Sequence, residues 1–185
     1  MPSVFKPKYE KCRAIIDCTE FRCEKPMGVA PKVHFYSNYK HGFRMKALVV
    51  CTPCGHICYI SKAYGGRITD AQITIASEFL DKLEYGDLIL ADKGFPEIKT
   101  AIDEKGKNVL LVMPPFLENS EFTVEEVEET KNIASVRIHI ERIMRRLRIF
   151  KINEYFTHNL SPFCDKIMFM CAVLVNLQAA IIKDD

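Results

Sequence analysis

Leu88-Ile-Leu-Ala-Asp-Lys-Gly-Phe95 is an apolar run that ends in one carboxylate, Asp92, with a glycine two positions later. A short apolar run closed in this way reads as a buried strand. In α/β proteins such a strand delivers the residue at its C-terminal end to the sheet edge where ligands bind. Asp92 is therefore the first candidate for chemistry. Two other acids are placed to join it. Asp17 closes the apolar run Ala14-Ile-Ile16, and Glu141 lies in a basic segment of helical period.

The 185 residues suffice for one domain with a sizeable core. With 48% hydrophobic and 27% charged residues, disordered and fibrous classes are excluded. The net charge of +2 argues for no partner, but its distribution is uneven. Glu118, Glu121, Glu125, Glu126, Glu128 and Glu129 are followed by Arg137, Arg142, Arg145, Arg146, Arg148 and Lys151, and the basic half suits an anionic partner. The eight cysteines sit largely inside apolar runs, and no N-terminal apolar leader is seen, so they read as reduced thiols of an intracellular protein. The most apolar stretch, Ile167 to Ile182, is shorter than the roughly 20 residues a bilayer requires. Asn176 and Gln178 interrupt it, so it reads as a buried core helix and no membrane is expected as a partner.

Residues 1–13 read as an irregular lead-in and 14–182 as the folded domain, with no separate DNA-recognition domain. The first strand is expected over 14–21. Pro26, Gly28 and Pro31 mark 22–42 as a loop. Two β-prone runs, 43–50 and 56–62, flank Thr52-Pro-Cys-Gly55 and predict a hairpin. A helix over 71–84, capped by Thr69 or Asp70, leads to the strand that ends at Asp92. A short helix over 96–105, a strand over 108–113, a long helix within 118–150 and a closing helix over 160–182 complete the order, the last with Ser161 as cap and Pro162 at its first position. The order is that of an α/β protein with both hairpin and crossover connections.

On the long helix, Ile133, Val136, Ile140, Ile143, Met144 and Leu147 fall on one stripe at about 100° per residue. Glu141 lies at the border of that stripe, where a carboxylate looks across the sheet edge. An ordinary ion pair with Arg137 or Arg145, four residues away on either side, is the competing reading. Acids from two strand ends and a helix are the oxygen donors that Mg²⁺ prefers. Two such ions, about 4 Å apart, activate a nucleophile and stabilise the leaving oxygen of a phosphodiester. Acids at strand ends do not by themselves establish such a site.

The motifs run in a definite order. They are Ile16-Asp-Cys-Thr-Glu20, Tyr36-Ser-Asn-Tyr-Lys40 with Lys46, Ser61-Lys-Ala-Tyr-Gly-Gly66, Thr69-Asp-Ala-Gln-Ile73, Gly86 through Ala91-Asp-Lys-Gly-Phe95, Met113-Pro-Pro-Phe116, and Arg137-Ile-His-Ile-Glu-Arg142 with Arg145, Arg148 and Phe150. In this order they resemble the DDE superfamily endonuclease domain of Harbinger/PIF-type and related transposases. The resemblance implies an RNase H-like fold, a mixed five-stranded sheet flanked by helices. It implies a divalent-metal-dependent DNA endonuclease with Asp17, Asp92 and Glu141 as catalytic, metal-binding acids and Mg²⁺ or Mn²⁺ as cofactor in a two-metal site. It further implies DNA as partner, a nuclear location, and a separate DNA-recognition protein or domain or a homo-oligomer. Asp70 matches an acidic position after the Gly-Gly pair and is given a supporting role, as helix N-cap or as a neighbour that orients the site. Where the family often has Arg after the second acid, this chain has Lys93, which keeps the charge but loses the planar fork.

Lys40, Lys46, Arg137, Arg142, Arg145 and Arg148 are the candidate DNA contacts, with a solvated helix face as the alternative for the arginines. Two other functional readings stand beside the nuclease. One is a domesticated, catalytically silent transposase-derived module that binds DNA or protein. The other is a zinc site, because Cys51, Cys54, His56 and Cys58 have the look of a zinc knuckle, although the same residues suit a hairpin turn.

Overall fold

The computed structural model describes residues 8–115 and 123–181. The start of the expected lead-in, Phe116, Glu118, Glu121 and Ile182 lie outside the described residues. The architecture grows from two long strands, β1 (Cys12–Cys23) and β3 (Gly42–Cys51), which pair antiparallel from Ile15↔Cys51 to Arg22↔Arg44. β4 (Ile57–Ile60) adds antiparallel to β3, as the hairpin signal predicts. On the other side of β1, β6 (Leu88–Leu90) and β7 (Leu110–Val112) add parallel, giving a main order β4-β3-β1-β6-β7. Three two-residue strands complete the sheet: β2 (Tyr36–Ser37) and β5 (Tyr64–Gly65) on β3, and β8 (Tyr155–Phe156) parallel to the end of β1. They were not expected from the sequence, because two residues are too few to show a period.

Side chains alternate across the sheet, so neighbouring residues of β1 and β3 enter opposite layers. Ile15, Val49 and Cys51 meet α4 (Val124–Ile149) and α5 (Cys164–Asn176) through Ile133, Val136, Ile140, Ile143, Leu147 and Val175. Ile16, Leu48 and Val50 meet α2 (Asp70–Ala76) and α3 (Ile98–Glu104) through Ile73, Ile98 and Ile102, with Phe95 buried between. Fully burying one such aliphatic side chain contributes roughly 1.5–3 kcal/mol, so two packed layers fix the sheet between them.

Several boundaries differ from expectation for local reasons. The segment 22–42 contains α1 (Val29–Phe35); Pro31 is tolerated because it lies in the first turn, where its missing N–H costs nothing. α2 stops at Ala76 rather than 84, because Glu78 takes a left-handed conformation (φ 59°) and a 3-10 turn follows over Phe79–Lys82. Its cap is Thr69, whose Oγ1 accepts from the Gln72 amide while the Gln72 side chain accepts from Thr69; Asp70 is not the cap. Thr123 and Glu126 form the same reciprocal box on α4. The closing helix opens as a 3-10 turn over Ser161–Phe163 and ends at Asn176, so Ser161 does not cap it. Asn176 interrupts the apolar stretch for a structural reason: its side chain accepts from the Ile57 amide (2.8 Å) and donates to the Ile57 carbonyl (2.9 Å), tying α5 to β4. Among the described residues no helix is long and apolar enough to cross a membrane.

The Gly65-Gly66 pair lets three backbones cross. Gly66 donates to the Arg44 carbonyl (2.9 Å) and Arg67 to that of His34 (3.1 Å). A Cβ on Gly65 would sit 2.5 Å from the His34 carbonyl oxygen, a backbone atom that no rotamer change can move aside. Gly65→Ala is expected to lose about 3 kcal/mol or more of stability in urea denaturation, and with it the anchored approach to Thr69 and Asp70.

Candidate active site

β6 accompanies β1 only as far as Ile15↔Leu90, and β8 takes up pairing again at Arg22↔Tyr155. Between these points the side of β1 away from β3 has no strand partner among the described residues. The sheet is therefore split, and both strand-borne acids stand at the split. Asp17 lies just past the last β6 pair, and Asp92 follows the end of β6. Each is oriented by the backbone immediately after it. The Cys18 amide donates to Asp17 Oδ1 (2.8 Å), and the Lys93 amide donates to Asp92 Oδ1 (2.7 Å).

Arg137 of α4 reaches the same place. Its Nη2 lies 3.1 Å from Asp92 Oδ2, and its side chain is only 13% exposed. The guanidinium thus faces the acids rather than the solvent, where a DNA phosphate would approach. Nor does Arg137 pair with Glu141. Glu141 is exposed, one helical turn further along α4 on the same flank, and makes no hydrogen bond or ion pair among the described residues. The expected pair with Arg137 or Arg145 is absent there.

Burial pushes the Asp17 carboxyl up to about 6, against the pull of the Cys18 amide and of Arg137; Asp70 and Asp92 add to the rise. On the opposite face of β1, Lys46 Nζ lies 2.6 Å from Asp70 and 3.8 Å from Glu20, and it donates to the Ile68 carbonyl (3.2 Å). Burial pulls the Lys46 ammonium down, but the hydrogen bond and charge of Asp70 outweigh it and raise the group overall. Lys46 is therefore held inside the site instead of reaching outward. Asp70 in turn packs under the loop after Asp92: a Cβ on Gly94 would come within 3.1 Å of Asp70 Oδ2. The glycine two positions after Asp92 is what lets Asp70 approach.

Asp70 and Asp92 are both close enough to act on Asp17. Among the described residues, no three of His, Cys, Asp and Glu come together closely enough to hold a metal ion. The donor chemistry of the strand pair still fits a hard divalent cation, which takes one or two carboxylates and completes its shell with water and phosphate. A cation bound there would ionise Asp17, which burial keeps neutral, and would compete with Arg137 for Asp92. The zinc-like residues are dispersed: Cys51 is fully buried in β3, Cys54 and Cys58 are exposed, and His56 contacts Asn176.

A cleft of about 990 Å³ opens beside the acids, with Cys18 and Gly94 in its wall. Of the candidate DNA contacts, Lys40, Lys46 and Arg148 line it, whereas Arg142 and Arg145 are exposed on α4 outside its lining. Lys151 of the basic segment lines it too, together with Arg22, Tyr39 and Arg44, which were not among the candidates. Arg44 and Glu20 occupy strand positions, and only the register brings them to a 3.6 Å ion pair. Tyr39 was legible as part of Tyr36-Ser-Asn-Tyr-Lys40, an exposed aromatic beside a lysine.

The model of one protein family, described as DDE superfamily endonuclease, matches residues 16–176. No curated protein and no solved structure matches the chain.

Because the folded-state pKa of Asp17 lies above the ordinary 3.8, the metal-free fold favours the neutral acid. That contribution is complete below about pH 4 and is lost as pH rises through about 6. Asp17→Asn keeps the acceptor for the Cys18 amide and removes the ionisation. In chelator, denaturation is expected to show the variant more stable than wild type at pH 8, by up to about 3 kcal/mol, with the difference vanishing near pH 4.

Proposed function

The chain belongs to the DDE superfamily endonuclease family, and from that premise we propose that it is the metal-dependent, DNA-cleaving domain of a Harbinger/PIF-type transposase. Under this reading residues 14–182 form an RNase H-like domain acting on DNA in the nucleus, alongside a separate DNA-recognition protein or domain or a second copy of the chain. The strand order β4-β3-β1-β6-β7, antiparallel on one side of β1 and parallel on the other, supports the RNase H-like assignment.

One observation carries the catalytic reading. Asp17 and Asp92 are brought together at the split in the sheet, each fixed by the amide that follows it. These two acids would hold Mg²⁺ or Mn²⁺, with Glu141 as the third acid by family resemblance. A bound pair of such ions supplies an activated water or 3′-hydroxyl nucleophile and stabilises the leaving oxygen. The chain's own residues set the stage. The amides of Cys18 and Lys93 orient the two carboxylates. Arg137 keeps Asp92 neutralised and aligned until another cation takes its place. Asp70, held by Lys46, supports the Asp92-Lys-Gly94 loop from below.

The second reading, a catalytically silent module that binds DNA or protein, is favoured by one specific observation. Asp92 is already engaged by Arg137 at 3.1 Å, an ion pair that a metal ion would have to displace. A nicking assay with Mn²⁺ on supercoiled DNA separates the two. Wild type is expected to cut. Asp17→Ala, Asp92→Ala and Glu141→Ala are each expected to lose roughly a hundredfold or more, the several kcal/mol of metal-borne charge stabilisation expressed as rate. Undiminished cutting by Asp17→Ala would refute the assignment, and no cutting by wild type would favour the silent module.

A further inference from the structure

The cleft beside the acids has a distinctive division of charge. Its floor is half-buried, and the charges there are already paired: Glu20 with Arg44 and Lys46, and Asp70 with Lys46. Its rim is exposed. Arg22, Lys40, Arg148 and Lys151 stand there without an ion pair among the described residues. They come from four places: Lys40 from the turn before β3, Arg22 from β1, Arg148 from the end of α4 and Lys151 from the turn after it. The rim also carries Tyr39, 80% exposed, with Lys40 Nζ 4.4 Å from its ring centroid.

An exposed aromatic ring among cations that make no ion pair, above a floor whose charges are already in ion pairs, suits a strand of nucleic acid. Phosphates take the rim cations, and a base takes the ring face. Both walls are anchored. The Ser37 hydroxyl, 2% exposed as a residue, donates to Glu20 Oε2 (3.3 Å) and accepts from the Lys40 amide (3.3 Å), which fixes the Tyr39–Lys40 turn to β1. Opposite, Asn153 Nδ2 donates to the Leu147 carbonyl (3.1 Å) and fixes the turn that carries Lys151. The ring also decides, because a base can lie on the face of Tyr39, 80% exposed, only when it is free of a duplex stack.

We infer that this cleft receives an unpaired stretch of the DNA strand being cut, with a base stacked on Tyr39 and its phosphates on Arg22, Lys40, Arg148 and Lys151. This rests on the DNA-cleaving reading and adds that the substrate is locally unpaired at the site. Cys18 and Gly94, which line the cleft, follow Asp17 and Asp92 by one and two positions, so the cleft adjoins the backbone that carries the two acids. Tyr39 acts here as a positioning residue.

The test is binding without divalent metal. Fluorescence anisotropy is measured on a short single-stranded oligodeoxynucleotide and on the blunt duplex of the same sequence. Wild type is expected to bind the single strand more tightly. Tyr39→Ala should weaken that binding about tenfold, a typical loss for one stacked base, with duplex binding unchanged and Tyr39→Phe retaining affinity. Arg148→Ser combined with Lys151→Ser should lower the slope of log affinity against log salt by about 1.4, as for two lost single-strand phosphate contacts. Equal affinity for the duplex, or a Tyr39→Ala variant that binds the single strand as wild type does, would overturn the inference. Strand binding that depends on Tyr39 in a protein that cuts no DNA would leave this inference standing and defeat the nuclease. Cutting without that dependence would do the reverse.

Discussion

The antiparallel ladder between β1 and β3 is the constraint on which the rest depends. It runs from Ile15↔Cys51 to Arg22↔Arg44, and both strands have apolar residues on both faces. A shift of one residue would exchange Ile15 and Ile16 between the two helical layers. It would also turn Asp17 from the layer of α4 to that of α2, and Cys18 and Glu20 the other way. The same register fixes the core and the direction in which each polar residue of β1 points. Beyond Ile15 this strand loses β6, and that loss opens the sheet beside the first acid.

Bringing carboxylates into such a split requires positive charge nearby. Three cations from the chain supply it, from two elements: Arg137 from α4, and Arg44 and Lys46 from β3. Their positions are not equivalent. Lys46 and Arg44 are bound to the floor of the cleft, where they stabilise Glu20 and Asp70. Arg137 lies on the layer that faces Asp17 and Asp92, where an incoming cation would compete with it. The site thereby combines half-buried ion pairs with exposed cations at the rim.

The lengths and kinds of most elements were legible because their patterns are long. The stripe from Ile133 to Leu147 identifies α4, and the runs around Thr52-Pro-Cys-Gly55 identify the hairpin. α1, β2, β5 and β8 were not, since each is at most seven residues long and depends on contacts made by distant segments. α2 was overextended because its apolar spacing continues through Leu83, while the left-handed turn at Glu78 breaks the hydrogen-bond ladder. Asp70 offered the sequence two roles, cap first and support second. The capping box of Thr69 and Gln72 removed the first, and the 2.6 Å contact with Lys46 gave the second a definite form.

The sequence by itself determined that this is an α/β chain, that Asp17 and Asp92 close apolar runs, and that Glu141 borders the buried stripe of a basic helix. Those statements need only local periodicity and the order of residues along the chain. Which charges meet was decided by the tertiary structure alone. Arg137 has an acid one turn away on its own helix, yet it pairs with Asp92, 45 positions earlier in number. Lys46 likewise turns to Asp70 instead of to solvent. A buried charge takes whichever partner the packing brings within hydrogen-bond reach, and that partner is set by strand register and helix placement, not by neighbourhood in sequence.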